Sequence, residues 1–213
     1  MPAMPATPAH RAPVLPKHAY RLLNHGPTVL VSAAHGGRRN VMAAAWAMPL
    51  DFEPPKVAVV IDKSTFTRGL VEASGRFALN LPCAAQADLA FTVGNTHGGP
   101  AGVGDKFAHY GIEAFEGSTP GLPLVAGCVA WLECRLLPEP HVQQAYDLFL
   151  GEVVAAQADE RVFSQGRWHF DGHPGLRTLH HVAGGHFVLP QDAVQGRLID
   201  RQHLHDTGGT PCT

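Results

Sequence analysis

The sequence predicts a mainly β fold, a barrel of strands carrying short helices on its outside. Apolar runs of strand length recur along the chain, and 18 Pro and 23 Gly residues punctuate them. The order is strand, strand, strand, helix, strand, helices, then long strands. That order lacks the regular strand–helix alternation of a doubly wound sheet.

The elements follow in chain order. Residues 1–16, rich in Pro and Ala, read as a flexible arm without the apolar centre of a secretory signal. The domain proper is expected over residues 17–199 and a flexible tail over 200–213. Residues 28–32 form a first strand, His35-Gly36-Gly37-Arg38 its hairpin turn, and residues 40–47 a return strand with small side chains. Residues 49–55 read as a turn-rich connection, because Pro54-Pro55 bars a helix. Residues 56–61 are a continuous apolar strand.

Ser64 or Thr65 then caps a helix running to about Ser74, with Phe66, Leu70 and Ala73 inward and Gly75 as its left-handed stop. A strand follows at 77–81, helical segments at 84–93 and 105–110, and two long strands at 129–137 and 146–157. Gly151 marks a bulge in the second of these.

Of the 213 residues, 45% are hydrophobic and 16% charged, the balance of one globular domain. A net charge of −2, with Arg38-Arg39 as the one basic pair of note, argues against nucleic acid as a partner. No apolar run reaches the roughly 20 residues that span a bilayer, so no membrane role is expected. Four cysteines without a CxxC pair, in a chain too long to need disulfide staples, suit a reducing cytoplasm.

The stretch 57–67 carries the most chemistry. A buried strand exits at Asp62-Lys63-Ser64-Thr65 and runs directly into a helix containing Thr67. The first N–H groups of a helix lack internal partners and carry partial positive charge. The Lys63 ammonium and the hydroxyls of Ser64, Thr65 and Thr67 would complete a phosphate receptor; the plainer reading makes Ser64 and Thr65 ordinary caps. Upstream, Asn40 to Pro49 places Ala44, Ala45, Trp46 and Ala47 where a flat ring can approach the backbone. An Ala-rich strand is otherwise a sign of close sheet packing, and Trp46 suits a core as well as a ring face.

Other constellations carry less. His180-His181 with His186 lacks the Cys or carboxylate of a tetrahedral metal set, and His203 and His205 lie in the expected tail, so no metal site is assigned. The glycines at 98–104 do not match the dinucleotide fingerprint, and no Gly-x-Ser-x-Gly occurs. Cys134 reads as core.

Taken in order, several runs resemble the flavin reductase-like family, its flavoredoxin branch in particular. They are Gly37 to Trp46, Phe52-Glu53-Pro54-Pro55-Lys56-Val57, Lys63 to Leu70, Ser74 to Pro82, Gly104-Asp105-Lys106-Phe107, Leu132-Glu133-Cys134 and Phe149 to Val153. The resemblance spans roughly residues 27–188. It implies an FMN-binding split β-barrel of Greek-key type, a homodimer with one FMN per subunit, FMN in preference to FAD.

Carried over by position, Asn40 and Ala44 to Ala47 border the flavin ring. Lys63, Ser64, Thr65 and Thr67 hold the phosphate, and Asn80 and Lys106 stand near the flavin. NAD(P)H enters as a transient reductant, and a small molecule or protein accepts the electrons. The flavin carries the chemistry, so no side chain is assigned as catalytic.

The segment before Asp105, and Asp147 where the flavoredoxin branch often has His, depart from the family's pattern. They leave open an FMN-binding electron carrier or sensor without NAD(P)H turnover. A non-flavin split barrel is the third reading, and the Lys63 turn counts against it.

Overall fold

The computed structural model describes residues 9–198. The strands are β1 (Arg11–Pro13), β2 (Val29–His35), β3 (Arg38–Ala44), β4 (Ala47–Phe52), β5 (Pro55–Val60), β6 (Arg76–Leu81), β7 (Ala114–Glu116), β8 (Pro123–Val125), β9 (Ala130–Leu137), β10 (Leu148–Asp159), β11 (Phe163–Ser164), β12 (Arg167–Trp168), β13 (His180–Ala183) and β14 (His186–Val188). The α-helices are α1 (Phe66–Ser74), α2 (Ala87–Asn95), α3 (Lys106–His109) and α4 (Pro140–Tyr146).

One antiparallel sheet runs β3-β2-β6-β9-β10-β5-β4, with β1 adding to the far half of β10. The mainly β architecture with helices outside is the one the sequence predicts.

Alternation along the central strands sorts side chains to two faces. Val29 and Val31 of β2, Phe77 and Leu79 of β6 and Leu132 of β9 enter one apolar cluster with Val57, Val59, Leu70 and Phe149. Their neighbours Leu30, Ala78 and Trp131 enter a second, against Ala90, Val93, Phe107, Phe115 and Leu124. Two polar side chains of that second face, Ser32 and Asn80, are fully buried and hydrogen-bonded. Asn80 donates to the Leu30 carbonyl (2.7 Å) and to Ser32 Oγ (3.0 Å), and accepts from Val125 N–H (2.9 Å).

Several expectations need correcting. The arm expected through residue 16 is partly structured. Arg11–Pro13 pairs with the end of β10, and Val14 N–H donates to the Ala156 carbonyl (2.8 Å), because that half of β10 has an otherwise open edge. Residues 1–8 of the arm, and the tail at 200–213, lie outside the described residues. The return strand stops at Ala44, and the supposed connection 49–55 is largely strand β4. Prolines bar a helix but not extended chain, and Pro49 sits on an edge strand where its missing N–H leaves no ladder unmade. Gly75 closes α1 at φ 66°, as expected. The inner face of α1 is Thr67, Arg68, Leu70 and Val71, whereas Ala73 is exposed.

Gly151 is not a bulge. It pairs in regular register with both β5 and β9, and the irregularity lies between Val153 and Ala155. Its lack of a side chain answers packing: a Cβ there would lie 2.5 Å from Phe77 Cζ and 3.1 Å from Cys134 Cβ. Gly151→Ala forces the buried Phe77 ring aside. It is expected to cost about 1–3 kcal/mol, read as a lowered urea midpoint.

Candidate functional site: an alanine-floored cleft beside the first turn of a helix

At the β3–β4 corner the chain leaves the sheet for two residues, Ala45 and Trp46, before Ala47 begins β4. This break opens a cleft of about 680 Å³. Its floor is Met42, Ala43, Ala44 and Ala45, with Trp46 at its rim, 76% exposed. Helix α2 supplies one wall through Phe91, Gly94 and Asn95, and the β13–β14 hairpin another through His181, Val182 and Phe187.

The walls fit closely. A Cβ on Gly94 would sit 3.2 Å from Ala43 Cβ, and one on Gly185 would sit 2.9 Å from Phe91 Cε2. The lining contains no Arg or Lys, and Asp62 is its one carboxylate.

Asp62 opens the turn into α1. Its carboxylate accepts from Ser64 N–H (2.8 Å) and Ser64 Oγ (2.6 Å), and these bonds hold it below the usual carboxylate range. Thr65 Oγ1 donates to the Asp62 carbonyl (2.8 Å) and makes no capping bond to the helix. Thr65 thus stands at the N-cap position, but neither it nor Ser64 makes the capping bond expected of it: both hydroxyl protons serve the turn itself.

What the turn leaves free is the start of α1 without a side-chain cap, and the exposed Lys63. Thr67 is buried and accepts from Asn40 Nδ2 (2.9 Å), which ties α1 to β3. The residues present fit a flat ring with an anionic tail: small side chains under the ring, and open N–H donors with a nearby ammonium for the anion.

Two candidates lie elsewhere. Asn80 belongs to the core network described above. Lys106 is buried, donates to the Val93 carbonyl (2.7 Å) and so closes the C-terminal end of α2; burial lowers its pKa to about 8. In this chain neither lines the cleft.

Conversely, sequence reading missed Met42, Phe91, Gly94, Asn95, Asp62 and the hairpin. Gly94 was the available signal, since a glycine inside a helix often marks close approach.

The hairpin wall rests on a partly buried histidine. His25 Nε2 bonds Thr178 Oγ1 (2.8 Å), and its ring lies 5.2 Å from that of His180 and 5.3 Å from that of Trp168. Burial first, and His180 second, lower its pKa from 6.5 to about 4. Between those two values the unfolded chain binds a proton that the folded chain refuses. Stability therefore falls as pH drops from 6.5 to 4 and is level below that. His25→Gln is expected to remove most of this slope, up to about 3 kcal/mol, in urea titrations at pH 7 and 4.5.

Among the described residues no group of His, Cys, Asp and Glu could hold a metal ion. No helix there is long and apolar enough to cross a membrane.

Residues 21–177 match the model of the flavin reductase like domain. An uncharacterized protein of Escherichia coli K12, YddH, is 51% identical over 179 residues, 83% of this chain and 93% of its own. A crystal structure described as an FMN-binding domain of a flavin reductases-like enzyme from Shewanella baltica superposes with a TM-score of 0.84 at 49% identity, over 88% of this chain and 97% of that one. An FMN reductase (NADH), RutF, of Ancylobacter novellus is 27% identical over 83% of this chain and 91% of its own. With its split-barrel fold and a match over most of its length, the chain belongs to the flavin reductase-like family.

Proposed function

We propose that the chain binds FMN in the cleft and works as an NAD(P)H-dependent flavin oxidoreductase, passing electrons to a small-molecule or protein acceptor. The observation that carries the reading is the alanine floor leading to an α1 N-terminus free of any side-chain cap. Ala43, Ala44 and Ala45 would let the ring lie against backbone, Trp46 would flank its exposed side, and Lys63 with the first N–H groups of α1 would hold the phosphate. Bound flavin supplies the hydride and electron chemistry; the protein positions it and shields it from water. The similarity to an NADH-dependent FMN reductase supports the reductant. The Gly37 to Trp46 and Lys63 to Leu70 runs support a place near the flavoredoxin branch.

We also propose a homodimer. Trp46, just before the edge strand β4, and Met48, Leu50 and Phe52 along it are 76%, 54%, 45% and 64% exposed, an apolar stripe beside the cleft that suits burial against a second copy.

One observation favours a second reading, a flavin-bound electron carrier without NAD(P)H turnover. The cleft offers no cationic side chain to a dinucleotide's phosphates. The test is the visible spectrum of the purified chain, with and without added FMN, followed by steady-state oxidation of NADH and NADPH. Bound flavin with nucleotide consumption supports the reductase, and bound flavin without it the carrier. Folded protein that takes up no FMN overturns both.

A further inference from the structure

A second concavity, of about 420 Å³, opens at the other end of β3 and is lined by three arginines. Arg38, Arg39 and Arg76 line it, with His35 and Ser74, against the single carboxylate of Asp105. Asp105 is already paired with Arg39 (2.9 Å). Arg38 and Arg76 have no carboxylate partner among the described residues; Arg38 lies over the Phe66 ring at 5.7 Å, and Arg76 reaches the Pro120 carbonyl at 3.5 Å. In a chain of net charge −2 this is a local inversion of sign.

The groove is also preformed. Its far wall, around Pro120, is fixed from both sides by buried polar groups. Glu133 accepts from the N–H groups of Ser118 (2.8 Å) and Thr119 (2.6 Å), and Ser32 Oγ donates to the Pro123 carbonyl (2.6 Å). Its near wall is the two-residue turn Gly36-Gly37, both at positive φ, which aims Arg38 and Arg39 from a rigid hairpin.

Its position gives it a direction. Asn40, bonded to Thr67 in the first turn of α1, lies two residues from Arg38 along β3, about 7 Å at strand rise, and Ala44 lies about 20 Å from Arg38. The two concavities share no lining residue, and Gly98 and Gly99 pack over Asn40 and Phe66 between them. A ligand with its ring on the alanines and its first phosphate at α1 would have to pass this loop to reach the arginines.

We propose that this groove is a phosphoryl subsite for the adenosine half of a dinucleotide, with Arg38 and Arg76 as its free cations and Arg39 held ready by Asp105. The direction of the ligand rests on the flavin reading of the cleft; the anion chemistry of the groove does not. Planar guanidiniums suit phosphate oxygens by paired hydrogen bonds. The adenosine half has two chemical sources: the 5′-diphosphate of a flavin dinucleotide, or the 2′-phosphate of a reduced pyridine dinucleotide.

The test titrates the intact chain, and its Arg38→Ser/Arg76→Ser variant, with ADP and with adenosine 2′,5′-bisphosphate by calorimetry at low salt. FMN binding is measured in parallel. Both replaced side chains lie at the surface, and circular dichroism checks the fold. The parent is expected to bind at least one probe, with affinity falling about tenfold or more in the variant while FMN binding stays within twofold. Preference for ADP assigns the flavin dinucleotide, and preference for the bisphosphate assigns the 2′-phosphate. No binding of either probe, or equal binding by parent and variant, overturns the subsite. Absence of FMN binding in the parent overturns the flavin reading alone.

Discussion

Lys63→Glu is expected to weaken FMN binding by about 100-fold while leaving riboflavin binding within twofold. The magnitude follows from the kind of contact at stake. A charge-assisted hydrogen bond to a phosphate contributes about 1.5–3 kcal/mol, and reversing the charge adds repulsion in a turn that already carries Asp62. Lys63 is exposed, so the replacement leaves packing untouched and the urea midpoint should not move.

Riboflavin makes the experiment discriminating. It has the same ring and ribityl chain but no phosphate, so a general loosening of the cleft would weaken both ligands alike. Parallel fluorescence titrations of FMN and riboflavin decide the matter; equal losses for the two would place the phosphate elsewhere. Thr67 is a poorer probe, because it is buried and pairs with Asn40. Thr67→Val would strand the Asn40 amide in the interior and confuse folding with binding.

The parts of this molecule legible in its sequence are those set by local rules. The apolar runs at 28–32 and 129–137, the Gly36-Gly37 turn and the Gly75 stop depend on neighbours a few positions away, and each lies close to where the pattern puts it. The turn at 62–67 was legible for the same reason: a strand running into a helix through Asp-Lys-Ser-Thr exposes N–H groups whatever surrounds it.

What escaped depends on distant partners. The cleft is walled by α2 and by a hairpin more than 130 residues beyond Ala44, and no periodicity announces that these meet. Asn80 was placed near the flavin by the family resemblance alone. Its three bonds run to Leu30, Ser32 and Val125, contacts that only the sheet order creates. Gly151 misled for a related reason: an interruption within one strand was in fact the imprint of Phe77 on the neighbouring face.

Arg68→Met should be strongly destabilising, at about 3 kcal/mol, because it leaves the partly buried Asp147 carboxylate without its cation. Arg68 lies in the first turn of α1 with its side chain 10% exposed and reaches three elements at once. Its guanidinium pairs with Asp147, donates to Glu72 (2.9 Å) and to the Gln143 carbonyl (2.9 Å), and lies over the Phe149 ring at 5.2 Å. Asp147 in turn adopts φ 54°, the left-handed conformation that ends α4, and its carbonyl accepts from Ile61 N–H (2.8 Å) just before the 62–67 turn. One arginine therefore joins α4, α1 and the exit of β5.

The pair gives Asp147 a structural role at the end of α4. The double variant Arg68→Met/Asp147→Asn should recover part of the loss, since Asn tolerates the same backbone angle and carries no charge. The cycle is read by urea unfolding of the parent, both single variants and the double. A loss below about 1 kcal/mol for Arg68→Met would show the pair to be no stronger than a solvated surface contact, and strict additivity in the cycle would show that the two side chains act apart.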